Sequence, residues 1–177
     1  MRKGQKGFTA IELIVASAII ALIGSAAMTT TFQIFNCNER NNDEMTVIRQ
    51  VQSAGYWISR DARMADTVIT DNLSTNDFTI LSWTERDYES DDVYHSVTYY
   101  FTGLSDHVGT LMRNHWSSAG LNADTRIADY IGYDPNDPVN TSNISYQNEI
   151  FTVKITATYE DAGETREYQI SRRTNFN

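Results

Sequence analysis

The sequence predicts an α+β fold, in which one long N-terminal helix packs on an antiparallel sheet. Three observations carry that reading. Phe8 to Met28 is an apolar run of 21 residues in which Glu12 is the only charge. Further on, Ile48, Val51, Gly55, Ile58, Ala62 and Ala65 recur at steps of three and four, which is one stripe of an amphipathic helix. After residue 70 the period drops to two. It is clearest where Phe151, Val153, Ile155, Ala157 and Tyr159 alternate with Thr152, Lys154, Thr156 and Thr158.

The apolar run comes first along the chain. At a rise of about 1.5 Å per residue it just spans a hydrocarbon core of about 30 Å. The segment before it, MRKGQKG, holds Arg2, Lys3 and Lys6 and no acid. A basic flank ahead of an apolar helix stays on the cytoplasmic side and sends the rest outward. An ordinary cleaved signal has a shorter apolar core followed by small residues, so this run is read as an anchor. A carboxylate near the bilayer centre costs about 2.5–3.5 kcal/mol on insertion scales, so Glu12 calls for a partner.

Glu39, Arg40, Asp43 and Glu44 open a polar stretch, and the amphipathic stripe follows. Arg49, Arg60, Asp61 and Arg63 fall off the stripe. Gly24, Thr29 to Thr31 and Asn41-Asn42 are points of poor helix propensity. A local unwinding of the helix would use the first two. The helix is expected to end near Asp66, because Thr67-Val68-Ile69 favours extended backbone and Asp71-Asn72 a turn.

Strands are then expected at Phe78–Trp83, Ser96–Phe101 and Thr110–His115, the last two joined by a loop from Gly103 to Gly109. Val97, Tyr99 and Phe101 share one face. The closing hairpin turns at Asp161-Ala162-Gly163 and returns through Tyr168 and Ile170. Residues 84–95 and 132–149 are read as long loops, the second holding both prolines in Asp134–Pro138. The expected organisation is a leader over residues 1–7, a transmembrane half-helix over 8–28, an amphipathic half-helix over 29–66 and a sheet head over 67–177.

Charge narrows the function. The chain of 177 residues has 14 Lys and Arg against 23 Asp and Glu, and three of the bases lie in residues 1–7. Without that segment the formal charge is 11 − 23 = −12. A surface for nucleic acid needs a basic patch to neutralise phosphates, so none is expected. Docking on anionic headgroups is disfavoured for the same reason. Cys37 stands alone, so no internal disulfide forms. The three histidines, His95, His107 and His115, lack metal-ligand spacing. There is no G-x-S-x-G elbow and no phosphate-binding glycine loop, so no catalytic residue, metal or cofactor is expected. Two oxygen-rich stretches, Glu85 to Asp92 and Asp134-Pro135-Asn136-Asp137, lack the EF-hand spacing and are read as solvated loops.

Gly7-Phe8-Thr9-Ala10-Ile11-Glu12, with a basic leader before it and an apolar helix after it, resembles the class III signal of type IV pilins and pseudopilins. The resemblance implies cleavage by a prepilin peptidase between Gly7 and Phe8 and N-methylation of Phe8. It also implies a subunit-assembly role for Glu12, which falls at the fifth mature position. Physical chemistry fits these roles. Gly7 has no Cβ, so the bond after it is unhindered. Cutting there creates a cationic amine on Phe8, and pairing it with Glu12 of a neighbour offsets part of the cost of burying both. Helix neighbours at i and i+4 also permit a pair within one chain. The implied partners are other pilin or pseudopilin subunits, the peptidase, an inner-membrane assembly platform, and lipid around residues 8–28. The implied location is the bacterial inner membrane with the head outside, then the filament.

Three further stretches resemble the J-type minor pseudopilins of type II secretion and the W-type minor pilins. They are ISRDARMADTV, the hairpin VTYYFTGLSDHVGTLMRNH with its V-x-Y-x-F and L-x-R spacing, and YQISRRTNF. That likeness implies a non-enzymatic subunit near the filament tip that starts assembly. The apolar helix departs from the pattern, being rich in Ala, Ser and Thr with few leucines. A shaft pilin, or an unrelated single-pass anchored binding domain, are the other readings.

Overall fold

The computed structural model describes residues 9–71, 73–74, 76–86 and 91–171. One helix, α1 (Ala10–Met64), precedes eight strands. These are β1 (Thr67–Ile69), β2 (Asp77–Glu85), β3 (Val93–Ser105), β4 (Val108–Ser117), β5 (Asn122–Gly132), β6 (Asn143–Gln147), β7 (Ile150–Tyr159) and β8 (Ala162–Ser171). The chain divides into two compact units, Met1–Asn42 and Asp43–Asn177.

In the first unit every described residue is exposed, including Ile11, Leu13, Ile14, Ile20, Leu22 and Ile23. The helix is unbroken across Gly24 and Thr29–Thr31, where propensity is poor. Ser17 and Ser25 donate to the carbonyls of Ile14 and Leu22, and Thr29, Thr30 and Thr31 to those of Ser25, Ala26 and Ala27, all at 2.9–3.0 Å. Each of these five hydroxyls is thereby satisfied inside its own helix.

The second unit is a curled antiparallel sheet with the outer part of α1 against it, so the predicted α+β arrangement is present. The strand order is β1-β2-β3-β4-β5-β7-β6, and β8 pairs β7. The core joins Val47, Val51, Ala54 and Ile58 of α1 to Leu81, Val97, Tyr99, Phe101 and Leu111, and to Val153, Ile155 and Ala157 of β7. The alternation foreseen in β7 is the observed one. Phe151, Val153, Ile155 and Ala157 are buried, while Thr152, Lys154, Thr156 and Thr158 are not.

Gly55 has a mechanical role on the helix face. A Cβ built there would lie 2.1 Å from Cζ of Tyr168, so the ring of β8 packs directly on the helix backbone. The Tyr168 hydroxyl donates to the Val51 carbonyl at 3.3 Å. A bulky residue at 55 must displace that ring.

Three expectations are corrected. The helix ends at Met64, two residues before the expected Asp66. Asp66 already belongs to the sheet, its N–H donating to the Ser82 carbonyl at 2.8 Å. Asp61 is fully buried although it lies off the apolar stripe, so burial extends beyond that stripe. The turns are tighter than expected. Asp106 and His107, at φ 49° and 65°, turn the chain between β3 and β4 in place of a loop from Gly103 to Gly109. The last turn is Glu160-Asp161, with Gly163 already inside β8. Two positive-φ residues match the right-handed twist of a hairpin, and Asp tolerates that conformation better than most side chains. Finally, the stretch 132–149 contains β6, which pairs with β7 from Asn143↔Lys154 to Gln147↔Ile150.

Candidate functional site

Two constellations stand out, one in each unit. The first lies at the start of α1. Glu12 Oε2 accepts hydrogen bonds from the backbone N–H and the hydroxyl of Thr9, both at 2.8 Å. Thr9 immediately precedes the helix and Glu12 is the third residue inside it, which is the T-x-x-E capping-box arrangement. The first-turn N–H groups lack intrahelical partners, and an acidic side chain there also suits the helix dipole. Sequence reasoning had Glu12 but missed this spacing, although Thr9 and Glu12 were both in view. One carboxylate oxygen thus caps its own helix, and Oε1 has no hydrogen bond among the described residues. Gly7 and Phe8 lie outside the described residues.

The second constellation anchors α1 to the sheet. Asp61 Oδ2 accepts from the Tyr99 hydroxyl and from Arg113 Nε, each at 2.6 Å. Arg60 reaches Oδ1 from the solvent side at 3.2 Å. Arg113 is itself buried, with 6% of its side chain exposed, and its Nη2 has no hydrogen-bond partner among the described residues. Its Cζ lies 5.3 Å from the Trp57 ring centroid, and Arg60 Cζ lies 4.2 Å from it. Burial, with the Asp61 charge next to it, pushes the Tyr99 phenol far above its ordinary range, so Tyr99 stays a donor at any physiological pH.

Beside this anchor, Trp83 stacks on His95 and His115, with centroids 5.1 and 5.7 Å away, and the two imidazoles are tilted to each other at 5.3 Å. His95 Nε2 is 3.2 Å from Glu85 Oε2, and His95 Nδ1 is 3.1 Å from His115 Nε2. In the neutral tautomer with the proton on His95 Nε2, that nitrogen donates to Glu85 and Nδ1 accepts from His115. His115 lies in β4, within the strand expected from Thr110 to His115, and is half-buried there. Burial first, and then the charges of Arg113 and His95, lower the His115 pKa from its ordinary 6.5. The unfolded chain therefore binds the proton more tightly than the folded one. The stability contribution is full above about pH 6.5 and is lost as pH falls through the lowered folded value. Chemical denaturation at about pH 7.5 and about pH 5.5 should show a lower midpoint at the acid value, and His115→Gln should flatten the difference. An unchanged slope in that variant would contradict the assignment.

The oxygen-rich stretch around Asp134 is internally satisfied. Asp134 Oδ1 accepts from the Asn136 N–H at 2.8 Å, and the Asn140 side chain donates to both oxygens of Asp137, at 3.1 and 2.9 Å. The Lys154 ammonium donates to the Pro138 and Val139 carbonyls, occupying the place a cation would take. In the other stretch, Asp87 and Glu89 lie outside the described residues. Among the described residues no group of three or more His, Cys, Asp or Glu is placed to hold a metal.

Residues 2–28 match the family model of the prokaryotic N-terminal methylation motif. The match supports a type IV pilin-like precursor, processed by a prepilin peptidase and built to associate with other pilin subunits. It points to a structural subunit. It covers Glu12 and the stretch holding Gly7 and Phe8. No curated protein and no solved structure matches the chain. Among the described residues α1 is the one helix long and apolar enough to cross a membrane, and its apolar window is unburied. A class III signal followed by such a helix fits inner-membrane anchoring of a pilin.

Proposed function

We propose that the chain is a minor pilin or pseudopilin subunit, cut between Gly7 and Phe8, methylated on Phe8 and placed at or near the tip of a type IV pilus-like filament. The observation that carries the reading is the methylation motif joined without a break to α1, whose outer part belongs to a head with its own core. Glu12 then has two successive tasks. In the free subunit it caps its own helix. In the filament its charge pairs with the methylated amine of a neighbour, which offsets the cost of a carboxylate in lipid.

The minor assignment is supported by charge. A shaft subunit must pack many identical heads side by side, and a mature chain at −12 resists that through self-repulsion. The connection over residues 133–142, between β5 and β6, fits a head with one face left free. An unrelated anchored binding domain is a poorer reading, because it leaves the methylation motif without a role.

The test uses sheared filaments. The chain should be present far below the stoichiometry of the main shaft protein, and filaments of this chain alone should not form. Glu12→Ala and Glu12→Gln should both insert and be cut, and both should be depleted from filaments. Glutamine keeps the capping bond and loses the charge, so the pair separates the two tasks. Full recovery by Glu12→Gln would show that capping, and not charge pairing, is what assembly needs.

A further inference from the structure

The outer face of α1 and strand β8 form a groove of about 410 Å³ in the second unit, lined by Tyr56, Ser59, Arg60, Arg63, Arg166 and Tyr168 among others. It collects three of the 11 bases that follow residue 7, on a chain whose charge there is −12. The other bases described in detail are committed elsewhere. Arg113 is buried on Asp61, Arg126 pairs with Asp129, and Lys154 holds two loop carbonyls.

The groove keeps a local excess of positive charge. Arg60 and Arg113 share the single carboxylate of Asp61, and Arg166 bonds Glu164 at 2.8 Å. Arg63 has no ion-pair partner among the described residues. Three arginines thus line the groove with no carboxylate among its lining residues, and Arg60 shares its Asp61 partner with Arg113. Part of this has a local explanation, since Arg63 sits in the last helical turn and suits the dipole there. The dipole does not account for Arg60 and Arg166 beside it, nor for two tyrosine rings lining the same open groove. Among the described residues β8 pairs with β7 alone, and two of its residues, Arg166 and Tyr168, line the groove.

We infer that this groove is a docking surface for an acidic helical face of a neighbouring filament subunit, an inference that rests on the filament reading above. Arg60 and Arg63 are i and i+3 on α1, side by side on the helix surface. Two carboxylates at i, i+3 or i, i+4 on a partner helix match that spacing. Arg166 closes the groove from the sheet side, and the tyrosine rings supply apolar contact with polar tips. The charge complementarity selects partners and speeds encounter while adding modest affinity.

The experiment pairs the full-length chain with each other pilin-like subunit made by the same cells, one at a time, in detergent extracts. One subunit should co-purify, with retention falling as ionic strength rises. Arg63→Glu/Arg166→Glu should cut retention at least tenfold, while Arg63→Lys/Arg166→Lys should keep most of it. Arg63→Glu alone, at an exposed site, serves if the double variant fails to fold. Four outcomes overturn the inference: no subunit retained; retention indifferent to charge reversal; charge-dependent self-association in place of a second subunit; or charge-dependent capture by phosphatidylglycerol vesicles in place of any subunit. Processing at Gly7 and recovery in filaments are scored in parallel, so the groove can fail while the filament reading stands.

Discussion

Replacing Asp61 by alanine should destabilise the head by about 3–5 kcal/mol, the usual cost of removing one partner from a buried ion pair. Arg113 would keep its buried charge with no carboxylate, and the Tyr99 hydroxyl would lose its acceptor. For a domain of this size that corresponds to a fall in Tm of roughly 6–20 °C. The cost arises because the remaining charge is stranded, not because the pair itself is strongly stabilising. Replacing both partners, as in Asp61→Leu/Arg113→Met, should therefore recover most of the loss. Thermal and urea denaturation of a soluble fragment from about residue 36 onward would measure both. A single variant within about 1 kcal/mol of wild type would show that the anchor contributes little.

Changing Gly7 to valine should abolish processing. The peptidase must reach the bond after residue 7, and a β-branched side chain both crowds that bond and stiffens the backbone before it. The precursor would then accumulate in the inner membrane, keeping its three leader cations and lacking the amine that pairs with Glu12. Filament incorporation would fall with it. Membrane fractions resolved by mass give the result directly. Mature-size protein at wild-type yield from Gly7→Val would contradict the cleavage assignment.

What the sequence made legible follows physical signal strength. The apolar run, the amphipathic stripe and the alternation of β7 were readable because burial imposes a period on many residues at once. β5 was not, because its pairing with β4 shifts register at Gly109/Leu111 and again at Leu111/Met112, which breaks the alternation. Tyr130, at φ 59°, is a further irregularity inside it. The burial of Asp61 was not legible for a different reason. A lone acid near a helix stripe looks solvated until its partners are known, and these arrive 38 and 52 residues later, from β3 and β4. Tyr99 and Arg113 were in plain view as part of the V-x-Y-x-F and L-x-R spacing. Their meaning as the buried counterpart of Asp61 needed the sheet register that sets them beneath the helix. The capping box at Thr9 and Glu12 is the opposite case. Its signal is local, and it was passed over because the charge in an apolar run drew attention to distant partners.

The central claim is that this chain is a precursor cut after Gly7 and methylated on the new terminus. Intact mass of the protein recovered from membranes or sheared filaments tests it most directly. The account predicts a chain lacking residues 1–7 and carrying one added methyl on Phe8, which fragmentation would locate. A chain that still begins at Met1, or one cut elsewhere, would contradict it.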